Sequence, residues 1–215
     1  MNDYEKHLEH IPGIKEKMER QKHGISSFKL HHPDQLETGM QIEEGITFLD
    51  LGCGAGDYAV WASSIVGRNG SVYAVDRWKG VIDALEHRCS TPKLANVKPI
   101  QHDIINPLPF SDSSIDVCLT ATILHALDLP SMGAKVFQEI ERVLKPNGRL
   151  ITIDCKKEEE KFGPPIHIRL APEDVEQAVS PYGFTKTNYV DLGCTYMLTF
   201  IKTPPTTAGA PEVEK

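Results

Sequence analysis

The sequence lacks three things: paired cysteines, a long apolar run and an excess of positive charge. Its five cysteines (Cys53, Cys89, Cys118, Cys155 and Cys194) are widely spaced, odd in number and contain no C-x-x-C pair. That pattern argues against a disulfide framework or a structural zinc site, and makes a reducing cytoplasm the natural setting. No apolar run approaches the roughly 20 residues a membrane-spanning helix needs. Met1 to Arg20 is charged throughout and lacks the apolar centre of a secretory leader, so none is expected. With 23 basic and 30 acidic side chains, the formal charge of −7 offers no general field for a phosphate backbone, and nucleic acid is not an expected partner. Nine histidines invite a metal. However, His31 and His32 are sequence neighbours that cannot share a strand face, and no H-x-x-x-H pair falls on a clear helix, so no metal site is expected.

What is present is an alternation of two hydrophobic periods. Short apolar runs at 46–51, 71–76, 97–102, 115–120 and 149–154 read as strands, buried on both faces where the run is continuous. Stretches 57–65, 81–87 and 131–144 read as helices between them, the last stopped by Pro146-Asn147-Gly148. Strand–helix alternation implies βαβ crossovers and a largely parallel sheet. After a helix over 172–179, strands at 184–191 and 195–202 are separated by only Leu192-Gly193-Cys194, which permits a hairpin and forbids a parallel crossover. The expected fold is α/β: a Rossmann-like doubly wound sheet of seven strands, mostly parallel, with a C-terminal antiparallel hairpin. A charged helix over 3–22 and a surface link over 23–45 would form an N-terminal extension, a possible lid on the domain at 46–202. The Thr/Pro/Ala/Gly-rich end, 203–215, is expected to be a disordered tail.

The most informative stretch is Phe48-Leu49-Asp50-Leu51-Gly52-Cys53-Gly54-Ala55-Gly56-Asp57, in which a strand ends, glycines turn the chain and a helix begins. Gly52 and Gly54 allow backbone angles and a close ligand approach that a Cβ would block. The dinucleotide fingerprint G-x-G-x-x-G is the nearest rival, and an NAD-dependent oxidoreductase the rival activity. Here the glycines fall at 52, 54 and 56, and Asp57 would face a pyrophosphate and repel it. Asp50 adds a second negative charge, which a cationic ligand tolerates. Asp76 ends the second strand, where a carboxylate can accept both hydroxyls of a ribose; its structural alternative is a helix cap. Asp103 follows the third strand, placed to accept from an adenine amino group or simply to close a turn.

FLDLGCGAG, VYAVDRW, QHDIINPLPFSDSSIDV and EIERVLKPNGRLITID, in this order and spacing, resemble the class I S-adenosylmethionine-dependent methyltransferases. The resemblance is to their ubiquinone/menaquinone-biosynthesis-like (methyltransferase type 11) branch, and it spans about residues 30–202. It implies methyl transfer from S-adenosyl-L-methionine to a small-molecule oxygen, carbon or sulfur acceptor. It also implies that Asp50, Gly52, Gly54 and Gly56 line the methionine side. Asp76 would hold the ribose with Arg77 and Trp78 beside it, Asp103 and Ile104 would frame the adenine, and Thr120 would lie beneath the donor.

The sequence after the fourth strand, Leu119-Thr120-Ala121-Thr122-Ile123-Leu124-His125, contains no N-P-P-Y-like motif, which disfavours amino-nitrogen acceptors of the DNA or glutamine type. His125 lies on the ligand-binding edge of such sheets, as a general base, as an orienting hydrogen bond, or as a packing residue. The N-terminal segment, the loop after the fourth strand and 162–170 are expected to form the acceptor pocket. Two other readings stay open. Arsenite methyltransferases resemble this branch and bind arsenic through thiolates, and a non-catalytic subunit would bind the cofactor without turnover.

Overall fold

The computed structural model describes residues 26–159 and 162–203. Chain order is α1 (Pro33–Met40), β1 (Thr47–Leu51), α2 (Asp57–Val66), β2 (Ser71–Asp76), α3 (Lys79–Cys89), β3 (Val97–Gln101) and β4 (Ile115–Ala121). There follow α4 (Leu129–Val143), β5 (Leu144–Cys155), α5 (Pro172–Val179), β6 (Phe184–Asp191) and β7 (Thr195–Lys202). The seven strands lie in the order β3-β2-β1-β4-β5-β7-β6. All neighbours from β3 to β5 are parallel, while β7 runs antiparallel to both β5 and β6. This is the Rossmann-like doubly wound sheet with its antiparallel hairpin.

The period-2 alternation of strand side chains divides the core between two faces. Phe48, Val72, Ala74, Leu119, Ile153 and Met197 pack with α1, α2 and α3. Leu49, Leu51, Val75, Cys118, Leu150 and Leu198 face the other way, onto α4 and α5.

Two local readings are corrected. Pro146-Asn147-Gly148 does stop α4, but β5 already begins at Leu144, so the turn signal is absorbed as a bulge. Leu144 pairs with Ile115 and Arg149 with Val117, and Asn147 takes a φ of 63° between them. The link over 23–45 is also more than a surface connection: its described part contains α1, whose Leu36 and Met40 are fully buried. Pro33 marks the start of this helix because it occupies N1, where a missing N–H costs nothing. Arg149 donates to the carbonyls of Met40 and Gln41 at 2.6 and 2.8 Å, fixing the end of α1 to β5. The helix expected over 3–22 lies outside the described residues. So does the expected tail, except for Thr203, whose N–H donates to the Gly183 carbonyl at 2.9 Å.

Lys202, the last residue of β7, serves α4 rather than the sheet. Its Nζ donates to the carbonyls of Glu141 and Leu144 at 2.6 and 2.9 Å, where the helix leaves its last oxygens unsatisfied and its dipole favours a cation. Lys202→Met should therefore lower stability by about 1–2 kcal/mol. Urea unfolding followed by far-UV circular dichroism measures it; an unchanged midpoint would mean that the ammonium contributes nothing.

Candidate functional site

The C-terminal edge of β1 organises the site. Gly52, Gly54 and Gly56 all have positive φ, at 80°, 51° and 75°, but each is glycine for a different reason. A Cβ on Gly52 would stand 2.7 Å from Ile123 Cγ2, and one on Gly56 2.5 Å from Leu85 Cδ2. These two glycines admit the loop after β4 and the helix α3. A Cβ on Gly54 meets nothing within 4 Å among the described residues. Gly54 alone opens onto free space.

Asp50 projects from β1 to the α2 face and is 1% exposed. Its Oδ2 accepts the Ala59 N–H at 3.1 Å, capping α2 from the preceding strand, since the residue at the cap position, Gly56, has no side chain to offer. Its Oδ1 has no hydrogen-bond partner among the described residues. Burial, the largest cause, together with the negative charges of Asp76 and Asp57 pushes its carboxyl up to about 7, against the pull of the Ala59 hydrogen bond. Asp50, Gly52 and Gly54 share a narrow cleft with Ser27, Tyr58 and Thr122. The last three were not singled out from the sequence. Thr122 has a φ of 54°, a conformation rare for a β-branched residue and without a sequence signal of its own.

Asp76 is buried behind this cleft. Its Oδ2 accepts the Gly54 N–H at 3.0 Å and its Oδ1 the Trp78 N–H at 2.9 Å. Burial holds its carboxyl above the usual range. The side chain thus ties the glycine loop to the entry of α3. The Arg77 guanidinium lies 4.8 Å from the centre of the Trp78 ring.

The other expected positions are more dispersed. Asp103 accepts the Ile105 N–H at 3.3 Å, closing a turn beyond β3, and Ile104 packs at the margin of the α4-side core. Thr120 is fully buried, and strand alternation turns it to the α4 face, away from Asp50; its hydroxyl has no partner among the described residues. Asp57 is paired with Arg88 at 2.8 Å, which weakens the expected repulsion of a pyrophosphate.

His125 follows β4. Its Nδ1 lies 2.7 Å from Asp154 Oδ1, and both side chains are sealed from solvent. The residue forms part of the wall of a second cleft, between the loop after β4 and residues 167–170. Arg169 holds the neighbouring loop in place by donating to the carbonyls of Lys156, Glu158, Phe162 and Pro164 at 2.8–3.0 Å. Among the described residues, no group of three or more His, Cys, Asp or Glu side chains could hold a metal ion.

Residues 42–183 match the family model described as "Methyltransferase domain". The chain belongs to this methyltransferase domain family. A demethylmenaquinone methyltransferase of Geobacillus sp. is 30% identical over 135 residues, covering 62% of this chain and 56% of that protein. The chain thus spans about half the length of the curated relatives it matches. A SAM-dependent methyltransferase of Aquifex aeolicus superposes with a TM-score of 0.75 at 28% identity, covering 82% of this chain and 93% of that one. The [4+2]-cyclase SpnF also shares the fold, with a TM-score of 0.66 at 17% identity over 80% of this chain and 79% of its own. The methyltransferase domain therefore supplies a cofactor-type scaffold, on which the chemistry depends on the side chains at its edge.

The raised carboxyl of Asp50 sets a pH dependence. In the folded chain burial holds it at about 7, against an ordinary value of 3.8. Between these values the folded chain holds the extra proton, so stability without ligand falls as pH rises through that window, by up to about 1.4 kcal/mol per unit. Urea midpoints from pH 4 to 8 should fall more steeply in the wild type than in Asp50→Asn, which keeps an acceptor for Ala59. Parallel curves would show that Asp50 does not titrate there.

Proposed function

We propose that the chain is an S-adenosyl-L-methionine-dependent methyltransferase acting on a small-molecule oxygen, carbon or sulfur acceptor in the cytoplasm. The observation that carries this reading is the buried, half-satisfied Asp50 carboxylate beside the open face of Gly54. Among the described residues, no Lys, Arg or His side chain lines that cleft, and a cationic ligand would meet the charge of an ionised Asp50. S-adenosylmethionine fits this donor set; when bound, it supplies an electrophilic methyl group on a positively charged sulfur.

In this reading Asp50 faces the cationic amino-acid end, and the backbone of Gly52, Gly54 and Gly56 shapes the loop around it. Asp76 accepts the ribose hydroxyls with its remaining lone pairs, Arg77 and Trp78 flank the sugar, Asp103 and Ile104 frame the adenine, and Thr120 supports the end of β4. Residues 46–202 form the cofactor domain, 1–45 an extension over its mouth, and 203–215 a tail. Bringing the acceptor into line with the methyl group and excluding water are the main tasks left to the chain. An acceptor that arrives protonated must also lose that proton. His125, whose Nδ1 lies 2.7 Å from Asp154 beside the second cleft, is the residue we assign to that task, as base or as orienting hydrogen bond. The relatives' printed names make quinol-type acceptors the first to screen. An arsenic acceptor is not favoured, since no thiolate cluster occurs among the described residues and Cys155 is buried.

Calorimetry with S-adenosylhomocysteine and NAD tests the cofactor assignment; binding of NAD but not S-adenosylhomocysteine would overturn it. Asp76→Ala should weaken S-adenosylhomocysteine about tenfold or more in a folded protein, because hydrogen bonds to a charged group contribute roughly 1.5–3 kcal/mol. With an acceptor in hand, His125→Ala should lower kcat at least ~100-fold while cofactor affinity is unchanged. A near-normal kcat would reduce His125 to a wall of the second cleft.

A further inference from the structure

The crossover from β3 to β4, residues 102–114, has to pass β2 and β1, which lie between those strands in the sheet. Such a crossover is usually a helix, whose backbone satisfies itself. This one contains no helix, and Pro107 and Pro109 lack the N–H groups that a helix interior needs. It nevertheless covers part of the α4-side core, where Leu108 is buried and Ile105 and Phe110 pack beside Tyr73. The Phe110 and Tyr73 ring centres are 4.9 Å apart. Backbone groups carried into the core in this way need partners from another element.

Two side chains of α4 supply them. Glu139 Oε2 accepts the Leu108 N–H at 2.6 Å. Arg142 donates from Nη2 to the Leu108 carbonyl at 3.0 Å and from Nη1 to the Phe110 carbonyl at 2.8 Å. The same guanidinium pairs with Glu139 through Nε and Nη2, at 2.9 and 2.7 Å, and with Asp112 at 2.8 Å. Hydrogen bonding to Arg142, the largest cause, holds the Glu139 carboxyl below its usual range, so it stays an ionised acceptor. A planar fork of five donors can serve two carbonyls and two carboxylates at once; an ammonium cannot. The Arg142 carbonyl also accepts the Ser113 N–H at 2.9 Å, so 108–113 is fixed to the end of α4. At the start of the crossover, the His102 N–H donates to the Asp76 carbonyl at 2.9 Å. Asp103 and Ile104 lie between these two anchors.

Resting on the cofactor reading above, we propose that Glu139 and Arg142 are positioning residues for recognition of the cofactor's base. They act through the crossover rather than on the ligand. By replacing the missing helix as the partner of its backbone, they hold it in the one path that keeps Asp103 and Ile104 at the C-terminal edge of the sheet. An Asp103 carboxylate fixed there favours a base that presents an amino group and opposes one that presents a carbonyl, because two acceptors would then face each other. A loosened crossover lets Asp103 retreat, and that discrimination is lost with it.

The test is calorimetry on the full chain with S-adenosylhomocysteine and with S-inosylhomocysteine, in which a carbonyl replaces the amino group of the base. The wild type should prefer S-adenosylhomocysteine about tenfold or more. Arg142→Lys keeps the positive charge but not the fork, and should weaken S-adenosylhomocysteine about tenfold. Its affinity for the inosyl analogue should stay within about twofold, so that the preference largely disappears. Glu139→Gln keeps an acceptor for the Leu108 N–H while removing the charge on Arg142's partner, and should show a smaller loss of the same kind. Circular dichroism and thermal melts establish folding; should Arg142→Lys not fold, Glu139→Gln decides. Folded variants that retain the preference, or that weaken both ligands equally, would reduce the pair to a stabilising contact and overturn the proposal while leaving the cofactor reading intact. A wild type that binds both ligands equally would overturn it in the same way, whereas one that binds neither would overturn the cofactor reading itself.

Discussion

One contact organises this end of the molecule: the carboxylate of Asp50 reaching back from β1 to the Ala59 N–H. A glycine is needed at the α2 cap position because α3 presses Leu85 against it, and a glycine cannot cap with a side chain. The strand supplies the cap instead. That choice buries a carboxylate where desolvation is severe and satisfies only one of its oxygens. An unsatisfied buried carboxylate opposes folding unless it is protonated or meets a cation. The helix start and the raised titration therefore share one cause. Asp76 extends the same logic, accepting Gly54 and Trp78 and so holding the loop and α3 in a fixed relation behind the cleft.

Much of the fold was legible because the relevant signals are local. Strand and helix periods differ, and the short connection at 192–194 could only be a hairpin; β6 and β7 span the residues expected for them. What escaped reading depended on partners distant in sequence. Pro33 looks like a loop marker until Leu36 and Met40 are seen to pack beneath it. Pro146-Asn147-Gly148 looks like the end of an element until the pairing of Leu144 with Ile115 carries the strand through it. Within the candidate site, the glycine motif was visible as a string, but the string does not say that Gly52 and Gly56 yield to Ile123 and Leu85 while Gly54 faces outward. Ser27 and Tyr58 are ordinary residues in sequence, and only the cleft brings them together.

The two carboxylates with the largest chemical demands lie on opposite faces of the sheet. Asp50 turns to the α2 side and Asp154 to the α4 side, where it holds His125. A reaction that uses both must occur where the faces meet, at the C-terminal ends of β1, β4 and β5, the edge at which open α/β sheets bind ligands. Thr122 stands at that crest. Its left-handed backbone, closed by its N–H on the Ile153 carbonyl at 2.7 Å, lets the chain leave β4 with Ile123 seated against Gly52. Such a conformation costs on the order of 1–3 kcal/mol and persists only because the packing on both sides fixes it. The strain sits between the wall of the Asp50 cleft and the loop that carries His125, so any shift of Ile123 over Gly52 would move both. That mechanical link ties the geometry of the Asp50 cleft on one face of the sheet to the position of His125 on the other.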